Sequence, residues 1–216
     1  MNQEEERELR KVVSAVVESG ESIEETIRKA TLEALARHHL ETAAIRRAAG
    51  AVLEGALEGA TRNPPRARES LREAVTGLDR ALSTAALALE LAAKEAGSEV
   101  AHFTGEHLTH VRDDLQGLGG LLVETLREAA RAGQGTAAGI LKDLADHLAT
   151  TKTAVASQVE ESTARLAEWL KESATRPVSS GLGAAREATA AMARIAAGML
   201  EGLADKLSER KEEEGT

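Results

Sequence analysis

An apolar pattern that returns every eleven residues governs the stretch from Gly20 to Asn63, which carries no proline. Ile23, Ala34, Ile45 and Ala56 form one line, and Ile27, His38, Ala49 and Ala60 form a second beside it. Eleven residues in three turns is about 3.67 per turn, a spacing that keeps an apolar stripe nearly straight along a helix. The opposite face carries Lys29, Glu33, Arg47, Glu54 and Glu58, so the helix is amphipathic. Ser22 with Glu25 predicts a capping box and a helix that starts near Ile23. Asn63, Pro64 and Pro65 predict its end near Arg62, because the residue before a proline is pushed out of helical backbone and a proline suits the first turn of a new helix. Such a rod would measure roughly 60 Å at about 1.5 Å per residue. Its stripe is thin, since alanines alternate with isoleucine and valine and Glu41 falls on the apolar face near the middle.

Other folds are excluded by what the chain lacks. One Phe, one Trp and no Tyr among 216 residues leave large rings almost no part in a core, although 42% of the chain is hydrophobic. Much of that fraction is alanine, and a chain dominated by Ala, Leu, Glu, Arg and Lys reads as all-α. A formal charge of −9 opposes nonspecific binding to nucleic acid, which needs clustered cations against phosphate. The absence of cysteine removes disulfides, thiol catalysis and thiolate metal ligands together. No apolar run approaches the roughly 18 residues of a membrane span, and the opening MNQEEERELRK is acidic where a secretory leader is basic. The expectation is a cytoplasmic protein that does not span a membrane.

Along the rest of the chain, Asn2 with Glu5 predicts a cap for a short helix over residues 1–20, carrying Leu9, Val12, Val13, Val16 and Val17. A single elongated helical domain is expected over 21–210, with breaks near 63–65, 97–98, 117–120, 133–135 and 177–181, and a disordered acidic tail over 211–216. After the two prolines, Leu71, Val75, Leu78, Leu82, Ala85, Leu89, Ala92 and Ala96 form a heptad seam. The same phase continues through Val111, Leu115, Leu118 and Leu122, with Gly117, Gly119 and Gly120 as its weakest point. Gly133 to Gly135 reads as a turn, followed by one helix from Ile140 to Leu170 that Thr150 to Thr153 dilute. Beyond Pro177 a last helix runs from Leu182 to about Arg210. Together these predict an all-α, elongated antiparallel bundle of five or six helices, two or more of them longer than about 30 residues. Gly55 with Gly59, Gly135 with Gly139, and Gly198 with Gly202 repeat at the spacing that lets helices approach closely.

Catalytic signatures are missing from the sequence: there is no phosphate loop, no HExxH and no nucleophile elbow. The densest polar cluster is His107, His110 and Asp114, which share a helical face with Phe103 and Val111. Imidazole and carboxylate on one stripe suit zinc or iron, yet one helix supplies too few ligands, so neither metal nor cofactor is expected. His38 is read as a packed histidine and His147 as a surface partner of Asp143 and Asp146. Arg28, Arg37 and Arg46 flank the apolar face of the long helix, where basic stems lie along apolar material with wet heads.

Three stretches, T31-L-E-A-L-A36, A81-L-S-T-A-A-L-A-L-E-L-A-A93 and A184-A-R-E-A-T-A-A-M-A193, give the chain a composition and periodicity that resemble the phasins, helical proteins that coat polyhydroxyalkanoate granules. Apolipoprotein-like lipid binders share the eleven-residue repeat. The resemblance implies a non-enzymatic coat whose apolar stripe, Ile23, Ile27, Ala34, Ile45, Val52 and Ala56, faces an intracellular granule, a lipid surface or copies of itself. The alternative is a structural or interaction bundle whose stripes face each other.

Overall fold

The computed structural model describes residues 1–38, 42–99, 105–173, 194–200 and 202. Seven α-helices and no strand occur among them: α1 (Gln3–Ser19), α2 (Ile23–Arg37), α3 (Thr42–Arg62), α4 (Ala67–Glu99), α5 (Gly105–Ala132), α6 (Gly135–Thr150) and α7 (Ala154–Ser173). The all-α class holds, but five or six helices is too few. Residues 194–200 are helical as well. Among these seven helices, α4, at 33 residues, alone exceeds 30. The loop expected at 177–181 and the acidic tail lie outside the described residues.

The first helix starts as its sequence dictates. Asn2 Oδ1 accepts from the backbone N–H groups of Glu4 and Glu5, and the Asn2 N–H donates to Glu5 Oε2 at 2.7 Å, closing a capping box. Gly20 ends α1 in a left-handed conformation, φ 77°, and its N–H donates to Val16 O. The box expected at Ser22 does not form. Ser22 is itself left-handed, φ 49°, with no side-chain cap bond, because the short reversal into α2 denies it the extended backbone that a capping serine uses.

The long rod also divides. Its outer limits, Ile23 and Arg62, stand where expected, but α2 stops at Arg37 and α3 begins at Thr42. His38 closes α2 by donating its N–H to Leu35 O, three residues back, a tightened last turn. Glu41 lies outside the described residues. Division lets the two halves of the stripe serve two partners: α2 packs chiefly on α4 and α3 chiefly on α1. A straight rod would leave part of that stripe in water, at about 25 cal/mol for each Å² of apolar surface.

Three other expectations fail. Helix α5 passes through Gly117, Gly119 and Gly120 without a break, because Leu118, Leu121 and Leu122 on that turn are buried and outweigh about 1 kcal/mol of propensity per glycine. The helix expected from Ile140 to Leu170 breaks at Thr151 to Thr153, where Thr151 takes extended backbone. At 97–98, α4 continues unbroken to Glu99.

Contacts along the helices fix their directions. Glu6 meets Arg47, Arg10 meets Glu54 and Glu18 meets Arg62, so α1 and α3 run parallel. Glu5 at the start of α1 meets His38 at the end of α2, which makes those two antiparallel. Gly20 meets Arg66 and Glu24 meets Arg80, aligning α2 with α4 and reversing the chain at the 3₁₀ turn Pro64–Arg66. One apolar cluster joins all seven helices with Ala196 and Leu200, so α1 belongs to the same core as the rest. Its largest fully buried side chains are leucines and isoleucines, set among alanines that let helices close up.

Gly55 and Gly59 show how far that closing goes. A Cβ on Gly55 would stand 2.5 Å from Arg10 O, and one on Gly59 2.5 Å from Ser14 O. The paired glycines therefore seat α1 directly on α3. Around Gly139, Gly198 and Gly202, by contrast, there is open space.

Candidate functional site

The candidate stripe faces inward. Ile23, Ile27, Ile45, Val52 and Ala56 are 0–1% exposed and belong to the core cluster. Ala34 is half-buried and lines a groove between α1 and α2, together with Leu9, Val12, Glu8 and His38. The groove encloses about 440 Å³. His38 is half-buried in this groove, and its Nε2 meets Glu5 Oε2 at 3.0 Å. The Asn2 N–H holds the Glu5 carboxyl below its ordinary pKa, and the neighbouring His38 adds to that depression. Among the described lining residues no Ser, Thr, Cys or Lys stands for this His–Glu pair to activate.

Two members of the polar cluster of α5, His110 and Asp114, have described side chains. Asp114 accepts a hydrogen bond from Thr42 Oγ1 at 3.0 Å, tying α5 to the start of α3, and His110 is exposed. The side chain of His107 lies outside the described residues. No group of three His, Asp or Glu side chains suited to a metal occurs among the described residues. His147 is exposed, while Asp143 pairs with Arg68 and Asp146 with Lys142, so the expected His147 pair is replaced by two ion pairs. Arg46 binds Glu124 at 3.0 Å, a hydrogen bond that raises its already high pKa.

A second polar centre escaped sequence reasoning. Glu90 is 1% exposed, between α4 and α7. Its Oε1 accepts from Lys94 Nζ at 2.7 Å, while Oε2 accepts from Ser162 Oγ at 2.8 Å and from Arg165 Nη1 at 3.4 Å. Arg165 also pairs with Glu161. Sequence spacing foresees the pairs of Glu90 with Lys94 and of Glu161 with Arg165 as surface contacts. The signal of burial was present but faint: Glu90 directly follows the seam residue Leu89, which places it at the edge of the seam. About three turns earlier on α4, Asp79 Oδ2 accepts from the N–H of Ala154 at 2.7 Å and Oδ1 from that of Val155 at 2.9 Å. A carboxylate remote in sequence thus caps α7, and because Asp79 and Glu90 meet α7 in ascending order, α4 and α7 run parallel.

Residues 1–209 match a family of unknown function, DUF6781. The chain belongs to this family. No curated protein matches it, and no solved structure does. No described helix of this DUF6781 member is long and apolar enough to cross a membrane.

Proposed function

We propose that this chain is a non-enzymatic structural or interaction module of the cytoplasm: a helical bundle whose apolar stripes hold its own helices together and whose charged outer faces meet its partners. One observation carries this reading. The stripe that a coat protein would turn outward is 0–1% exposed at five of its six positions, Ala34 being the exception. Large hydrophobic residues that are exposed among the described ones are Val12, at 48%, and Leu91, at 42%, on different helices. Such scattered exposure is ordinary for a protein surface. On this reading, neither lipid vesicles nor polyhydroxyalkanoate particles add helix to the purified protein or sediment with it. Co-sedimentation accompanied by a gain in far-ultraviolet helicity would overturn it.

A second reading, the phasin-like coat of a granule or lipid surface, draws on the α4–α7 seam. That seam carries Glu90 and Ser162 among its buried residues and is the one by which the bundle would open. In that case adsorption begins with α7, and an Asp79→Ala variant binds vesicles better than the wild type does.

A further inference from the structure

Helix α7 is held to its neighbour in an unusual way. Its first two amides are bound by Asp79 of α4 rather than by a residue of its own entry turn, and Thr153 Oγ1 accepts only the third, from Ala156, at 3.1 Å. Further along the same two helices, Glu90 takes hydrogen bonds from Ser162 and Arg165. Along this face, the apolar residues of α7 that are buried among the described ones are Val155, Val159 and Leu166. Thr163 adds a buried hydroxyl with no hydrogen-bond partner. On the chain's N-terminal side the non-helical Thr151–Thr153 separates α7 from α6, and on its C-terminal side Ala196 and Leu200 return to the core.

We propose that α7 is a strap: a unit that lifts from α4 and reseats while the other helices stay packed, with Asp79 and Glu90 setting how often it does so. Its logic is a comparison of what water can replace. Lys94 and Arg165 already reach solvent, with side chains 29% and 42% exposed, so their ends of the Glu90 network exchange protein partners for water at little loss. The carboxylate of Glu90 leaves a buried setting for water, and the Thr163 hydroxyl gains the partner it lacks. Among the described side chains, Val155, Val159, Leu166 and the partly buried Trp169 remain to oppose opening. Once α7 is lifted, the amides of Ala154 and Val155 lose their remote cap, so the first turn frays with the opening and reforms on return.

Hydrogen exchange followed by mass spectrometry tests this on the full chain. In the wild type, the backbone amides of 158–170 should exchange as a group at least about tenfold faster than those of α1 and α3. Loss of the cap in Asp79→Ala should speed that group by about another tenfold and leave α1 and α3 unchanged. Glu90→Gln, which keeps an acceptor for Ser162 but removes the charge that gains by reaching water, should slow the same group. One common exchange rate for α1, α3 and α7 in the wild type would overturn the proposal without any variant. So would an Asp79→Ala effect spread equally over all helices.

Discussion

Two parallel helix pairs, α1 with α3 and α4 with α7, are built on opposite terms. Between α1 and α3 the contact is backbone on backbone: Gly55 and Gly59 receive the carbonyls of Arg10 and Ser14, Val13 and Val17 fill the flanks, and ion pairs lie outside along the edge. Between α4 and α7 a charged carboxylate and a serine sit inside, and a second carboxylate caps the helix end. The first seam excludes water by shape. The second is specified by polar partners that water can replace, so it defines register and direction at a lower cost of separation.

The contrast is sharpened most by Gly59→Ala. The added methyl would meet Ser14 O and Val17 Cβ at 2.5 and 2.8 Å, neither of which can yield without moving α1. A loss of about 3 kcal/mol in urea unfolding is expected, after the small gain in helix propensity. A neutral result would mean that α1 is not seated on α3 as described. Glu90→Ala comes next, at about 2 kcal/mol, because it strips Ser162 of its acceptor and leaves a void. Glu90→Leu should restore most of that loss or exceed wild-type stability, as apolar replacements of buried ion pairs often do.

Gly120→Ala should go the other way. No atom lies within 4 Å of the place a Cβ would take, so the substitution removes glycine's conformational cost and raises stability by about 0.5–1 kcal/mol. Opposite signs at Gly59 and Gly120 would separate packing glycines from tolerated ones. The smallest effect concerns Glu5. Its folded pKa is depressed, so its stabilising bond to Asn2 is complete above the unfolded value, near 4.3, and is lost as pH falls through the lower folded value. An NMR titration of the Glu4 and Glu5 amides should show α1 fraying only in acid, and Glu5→Gln should flatten that titration.

How much of this was legible follows from where each signal resides. The Asn2 cap, the Gly20 stop and the Pro64 turn are local chemistry, written within four residues of the feature they make. The seam from Leu71 to Ala96 was equally plain, since a heptad repeat states which face is buried. Eleven-residue periodicity was real too, and Ile23, Ile45 and Ala56 are all interior. Periodicity identifies a buried face without saying what covers it, and here the cover is the chain itself. Ser22 misled because its capping signal is overridden by a turn with left-handed backbone. The breaks after Arg37 and at Thr151 to Thr153, like the capping of α7 by Asp79, depend on partners 70 or more residues away or on packing, which no local window contains.

The unequal strength of the two seams can be measured without altering the protein. Trp169, the sole tryptophan in a chain without tyrosine, lies on α7 and packs against the core edge. Its fluorescence therefore reports α7, while far-ultraviolet circular dichroism reports every helix. Followed together through a urea titration, the Trp169 transition should come first, at a lower midpoint than the loss of helix. Superimposable transitions would show one cooperative unit in which α7 is as firmly held as α1, and would contradict the account.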